Sequence, residues 1–240
     1  MPELIRPSTV LPANRKPIQI QTADGLKLIG EVATPIGKRN ASILCLHPLP
    51  TAGGMMDSHI LRKASNRLPA MAGIEVIRFN SRGTTSEAGT SEGEFDNGES
   101  ERFDVEAAIN FAFDSLQVEK LWVLGWSFGT DLALRYAHDS RVQGLILLSP
   151  PLRTVVKRHL EFWEKSDRPI IALIPEFDDY LKPAEAQIAF ASIPQMKLIA
   201  VEGAKHLWVG EPFVYRVLTE IVQIVSPERL PLPLETLTTQ

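Results

Sequence analysis

The chain has 240 residues, 44% of them hydrophobic and 22% charged, which suits one globular α/β domain with a sizeable core and excludes a disordered chain. A net charge of −4 leaves no basic footprint for a phosphate backbone or an anionic membrane. One cysteine, Cys45, excludes an internal disulfide and a Cys-rich metal site.

Met1 to Pro17 carries Arg6, Arg15 and Lys16 among four prolines and lacks the apolar stretch of a secretory leader. Residues 1–16 therefore read as an extension of a single domain covering 1–240. No apolar run approaches the ~18 residues of a membrane span, so a cytoplasmic protein is expected. Ile18 to Gln21 alternates with period two, Asp24-Gly25 offers a hairpin turn, and Leu26 to Val32 reads as the returning antiparallel strand. Continuous apolar runs follow at Ser42 to Leu46, Glu75 to Phe79, Leu121 to Leu124, Leu145 to Leu148, Ile170 to Ile174 and Leu198 to Val201. Such runs predict strands buried on both faces, and Cys45 inside the first of them is a small core residue. Helical patterns separate most of these strands, at Ser58 to Ala72, Glu99 to Ser115, Thr130 to Ala137, Pro183 to Ala191 and Glu211 to Ile224. This alternation predicts an α/β fold: a mostly parallel eight-stranded sheet, helices on both faces, and functional groups at the carboxyl ends of the strands.

Three segments fall outside that pattern. Residues 83–98 form a long polar loop, read as a mobile border of the site entrance or as ordinary solvated surface; its acidic residues and missing Gly-Lys-Ser/Thr ending argue against a phosphate loop. Between Leu148 and Pro169 only about twenty residues remain, including a predicted helix from Thr154 to Lys165: enough for a flap, too few for a large cap. Residues 226–240 read as a proline-punctuated C-terminal tail that packs along the surface or mediates a contact.

Gly125-Trp126-Ser127-Phe128-Gly129 lies between a predicted strand and a predicted helix. A serine at such a corner is forced into strained backbone angles with its hydroxyl exposed above the sheet, while small flanking residues let strand and helix approach. It needs a base, and the base needs an orienting carboxylate. The predicted strand ending at Ile174 is followed by Pro175-Glu-Phe-Asp-Asp179, and the one ending at Val201 by Glu202-Gly-Ala-Lys-His206. His206 is the expected base. For the acid, Asp178 is preferred over Asp179, with Glu176 a third candidate. His59, His138 and His159 lie in helical stretches with charged neighbours and read as solvated surface.

Taken together, several segments carry a resemblance. They are His47-Pro-Leu-Pro50 with Gly53 to Asp57, Arg78 to Gly83, Ser91 to Gly98, Gly125 to Gly129, Pro175 to Pro183 and Gly203 to His206. The chain resembles the α/β-hydrolase superfamily, and within it the small bacterial serine hydrolases and esterases with little or no lid. The resemblance aligns Asp178, with Pro183 five residues beyond, to the family's acid. It implies an oxyanion hole made by the backbone N–H groups of Phe128 and Leu49, since Pro48 and Pro50 have none to give. Two departures are Leu49, where relatives often repeat His-Pro, and Lys205, where relatives often carry an acid. His47 either polarises substrate or braces its loop; Trp126, Phe162 and Trp163 are further substrate-binding candidates, the last two alternatively packing their helix onto the body.

The activity so implied is hydrolysis of a small ester, thioester or lactone through an acyl-enzyme on Ser127, with no cofactor and no metal, at a fairly open site for short acyl groups. An acyltransferase or cofactor-free perhydrolase with the same residues, and a non-catalytic interaction protein on the same fold, are the alternatives. The expected partner is a small-molecule acyl substrate, not nucleic acid or membrane, and a homodimer stays open.

Overall fold

The computed structural model describes residues 4–235; the extreme ends of the expected extension and tail, 1–3 and 236–240, lie outside the described residues. Period-two patterning sets the first sheet edge. β1 (Asn14–Gln21) and β2 (Lys27–Thr34) pair antiparallel from Asn14↔Thr34 to Gln21↔Lys27, with Ile20 and Leu28 turned inward. The Asp24-Gly25 turn sits in the five residues between them, where Gly25 takes a φ of 95° that disfavours other residues.

The remaining strands of the sheet are β3 (Ala41–Leu46), β4 (Ile74–Phe79), β7 (Leu121–Trp126), β8 (Val142–Leu148), β9 (Ile170–Phe177) and β10 (Met196–Lys205). A short hairpin, β5 (Thr85–Ser86) with β6 (Gly89–Thr90), stands apart. The eight-stranded order is β1-β2-β4-β3-β7-β8-β9-β10, and β2 alone runs against its neighbours. Helices α1 (His59–Ala72), α2 (Glu101–Asp114), α3 (Phe128–Tyr136), α4 (Lys157–Glu164), α5 (Pro183–Ala189) and α6 (Glu211–Val225) cover the sheet.

Strand alternation splits the core in two. Leu44 and Leu46 of β3, Val123 of β7 and Ala172 of β9 face α2, α3 and α5, whereas Ile43, Cys45, Leu124 and Leu173 face α1 and α6. Each buried leucine, isoleucine or valine among them stabilises the fold by about 1.5–3 kcal/mol over its exposed state, so a strand with both faces apolar is held only in the middle of such a sandwich. No helix among the described residues is long and apolar enough to cross a membrane.

Three expectations need correction. β9 runs past its apolar core to Phe177 and β10 reaches Lys205, both longer than the sequence pattern indicates. β8 stops pairing at Leu173, so Pro175 lies on a free side where its missing N–H costs no ladder bond. The 83–98 loop is tied down: Ser91 Oγ accepts the Ile29 N–H and donates to Asn80 O, Glu92 accepts the Lys27 N–H, and Glu101 accepts the amides of Asp96 and Gly98. At the ends, Leu4 bridges Glu235, and Tyr215 donates to Leu232 O at 2.8 Å, so the described part of the tail packs on α6.

Candidate active site

Four strand ends build one site. β7 delivers Ser127, β8 Ser149, β9 Asp178 and β10 His206, each at or just beyond the carboxyl end of its strand. Ser127 has φ 53° and ψ −122°, a conformation costing of order 1–3 kcal/mol that the surroundings must hold. They do so through the Ser127 N–H, which donates to Leu148 O at 2.9 Å, and through the Thr130 N–H and hydroxyl, both donating to Ser127 O at 2.7 Å. The flanking glycines are steric necessities. A Cβ on Gly129 would stand 2.1 Å from Leu46 O, and one on Gly125 would stand 2.5 Å from Gly129 O.

At this corner the Ser127 hydroxyl meets the imidazole: Oγ lies 2.8 Å from His206 Nε2. On the other side of the ring, Nδ1 is 2.9 Å from Asp178 Oδ2 and 3.1 Å from Oδ1. Burial pushes the Asp178 carboxyl up, but the hydrogen bonds from His206 and from the Tyr180 and Leu181 amides outweigh it and hold it below the usual carboxylate range. An ionised carboxylate only accepts, so Nδ1 carries the proton and Nε2 offers its lone pair to the hydroxyl. Of the other acid candidates, Asp179 is exposed and Glu176 accepts the Gly203 N–H at 2.8 Å, so neither reaches the imidazole.

The imidazole loop is clamped from below. His206 O accepts from Trp126 Nε1 at 3.2 Å and from Ser149 Oγ at 3.1 Å, and Leu207 O accepts from His59 Nε2 at 2.6 Å. Ser149 and Tyr180 escaped the sequence reading. Ser149 follows a strand end just as Ser127 does, which was the available signal; the Tyr180 ring lies edge-on to His206, centroids 4.7 Å apart.

Above these groups is a cavity of about 340 Å³, at the small end of ligand sites. Leu49, Phe128, Phe95 and Leu207 supply apolar wall, and Asn97 brings the 83–98 loop to the rim. Among the described residues, helical and loop bonding leave the amides of Leu49 and Phe128 without a backbone acceptor. Four expected substrate contacts lie elsewhere. Trp126 is buried beneath His206, and Trp163 is buried with Nε1 donating to Leu134 O at 2.9 Å. Phe162 stacks on His138, centroids 4.2 Å apart, so α4 turns its aromatics to the body and neither lines the cavity. His138 and His159 are half-buried, like His59, and burial lowers the pKa of all three, so each lies at the surface but is only partly solvated.

His47 is buried and braces its loop: Nδ1 donates to Pro48 O at 2.7 Å while Nε2 accepts the Ser81 N–H at 3.0 Å. Burial pushes its pKa down to about 4. The unfolded chain, with a histidine pKa of about 6.5, binds this proton first as pH falls, so stability is full above 6.5 and is lost down to about 4. Urea unfolding between pH 7 and 4.5 should therefore show a steeper loss for wild type than for His47→Gln, by up to about 3 kcal/mol over the whole window. Parallel slopes would mean that His47 titrates normally.

A family model described as alpha/beta hydrolase fold matches residues 41–212. An uncharacterized protein of Rickettsia prowazekii is 32% identical over 126 residues, 51% of each chain, so the chain spans about half the length of the curated relative it matches. Among solved structures, an alpha-beta serine hydrolase homologue from Coxiella burnetii has a TM-score of 0.74 at 21% identity, covering 91% of this chain and 100% of the other. A serine hydrolase without lid from Xanthomonas campestris gives 0.70 at 25% identity over 94% and 100%. An esterase of Pyrococcus furiosus gives 0.71 at 20% identity over 88% and 92%.

Proposed function

From the premise that the chain belongs to the alpha/beta hydrolase fold family, we propose that it is a serine hydrolase cleaving small carboxylic esters, or related thioesters and lactones, through an acyl-enzyme. The observation that carries this reading is the unbroken hydrogen-bonded chain Ser127 Oγ, His206, Asp178 at the floor of a cavity. In the proposed reaction Ser127 Oγ attacks the ester carbonyl as His206 Nε2 takes its proton, and Asp178 stabilises the imidazolium. The N–H groups of Leu49 and Phe128 receive the oxyanion, each such donor being worth about 3 kcal/mol in the transition state. Collapse expels the alcohol, protonated by His206. Water, deprotonated by the same nitrogen, then releases the carboxylic acid and restores the hydroxyl.

Size selectivity follows from the cavity and from the eight-residue α4, which is all the helix that the β8–β9 connection holds. p-Nitrophenyl acetate and butyrate should be cleaved at least about tenfold faster, in kcat/KM, than the dodecanoate, whose chain outgrows a site of this volume. Equal or better turnover of the dodecanoate would overturn the size limit. Absence of cleavage across the ester series, together with no labelling by a fluorophosphonate probe, would overturn the hydrolase reading itself.

A further inference from the structure

Among the described residues, the cavity wall holds one arginine that forms no ion pair with a protein anion. Arg153 lines the cavity, and among the described residues its guanidinium makes no ion pair and no side-chain hydrogen bond. Of the other ionisable groups in that wall, His206 is engaged with Ser127 and Asp178. Asp131 is fully buried; its Oδ2 accepts the Thr154 N–H at 2.7 Å and the Thr154 hydroxyl at 3.1 Å, and burial raises its pKa. Backbone hydrogen bonds from Leu152 and Arg153 are also directed at it, so it anchors the main chain of this segment and makes no ion pair with the Arg153 guanidinium.

This arginine is also placed, not trailing. Its guanidinium carbon lies 5.2 Å from the Tyr180 ring centroid, and Tyr180 in turn packs edge-on against His206. Stacking on an aromatic face orients the planar group and leaves its in-plane N–H fork free for a bidentate acceptor. The backbone beneath is fixed on both sides, because Leu152 sits at φ 53° and Thr154 is tied to Asp131. A lysine-like tether at a loop tip would have none of these constraints.

We propose that Arg153 is a specificity-determining residue and that the preferred substrate is an ester bearing a carboxylate on the part of the molecule remote from the scissile bond. The inference rests on the hydrolase reading above. A carboxylate matches the guanidinium fork in shape and charge, and the apolar side chains that line the same cavity suit a short methylene or aryl spacer. Because Arg153 touches the remote end equally in ground and transition states, its contribution belongs in KM.

Two matched pairs test this: monophenyl adipate against phenyl hexanoate, with the anion on the acyl side, and 4-acetoxybenzoate against 4-acetoxybenzamide, with it on the alcohol side. In at least one pair kcat/KM should favour the anion by about fivefold or more at low ionic strength, mainly through KM, and the preference should shrink in 0.5 M salt as the exposed cation is screened. Arg153→Met should bring that ratio to about one and Arg153→Glu should invert it, whereas Lys157→Met, an exposed charge on α4 outside the cavity, should keep it. A ratio at or below one in both pairs, or one that survives Arg153→Met, overturns the proposal while leaving the hydrolase intact. Failure to cleave any of the four esters or the neutral p-nitrophenyl series removes both.

Discussion

Replacing Ser127 with alanine is expected to lower kcat/KM for p-nitrophenyl butyrate by about 10⁴–10⁶ and to abolish fluorophosphonate labelling. The magnitude follows from the way the three side chains act as one unit. Without Oγ there is no acyl-enzyme, and what remains is the rate that an empty oxyanion site and bound substrate give to attack by water. Fold stability should change by no more than about 0.5 kcal/mol, since alanine meets the same penalty at φ 53° and the backbone bonds of residue 127 to Leu148 and Thr130 do not use the hydroxyl. The pairing of lost turnover with an unchanged urea midpoint separates chemistry from misfolding. Ester cleavage within tenfold of wild type in the folded variant would mean that another nucleophile, or none, acts in this cavity.

Much of the architecture was legible because it is written in periodicity. Apolar runs such as Leu121–Leu124 can lie only between two covered faces, and their spacing with helices forces a parallel sheet whose strand ends share one rim. The Ser127 corner was legible for the same reason: Gly125 and Gly129 mark a close approach that the 2.1 Å and 2.5 Å separations make explicit. Side-chain direction at the ends of elements was not. Asp178 and Asp179 are neighbours in one turn, and only the path of β9 past Pro175 turns the first inward and the second out. Phe162 and Trp163 lie on an amphipathic helix, and a helical pattern tells which face is apolar without telling whether that face meets the body or a ligand. The polar 83–98 loop looked free because its anchors, Ser91 and Glu92, bond to backbone amides of β2 sixty residues away, a partner that composition does not reveal.

Asp178→Asn should cost about 10³–10⁴ in kcat/KM, and the local hydrogen bonds say why. Asp178 Oδ1 accepts the Tyr180 N–H at 2.8 Å and the Leu181 N–H at 3.4 Å, while Oδ2 faces His206 Nδ1. An asparagine must put its carbonyl oxygen where the two amides donate, which leaves its NH₂ pointing at Nδ1. That nitrogen then has to accept, so the imidazole proton moves to Nε2 and faces Ser127 Oγ, where a base is needed and a donor now stands. The control is Asp179→Asn, one residue away and exposed, which should keep kcat/KM within about twofold. Should Asp178→Asn retain most of the wild-type rate while Asp179→Asn or Glu176→Gln loses it, the carboxylate assigned to the imidazole is the wrong one. Activity surviving in all three variants would mean that His206 acts as base without an anion at Nδ1, its loop still positioned by the bonds that Trp126 and Ser149 donate to its backbone oxygen.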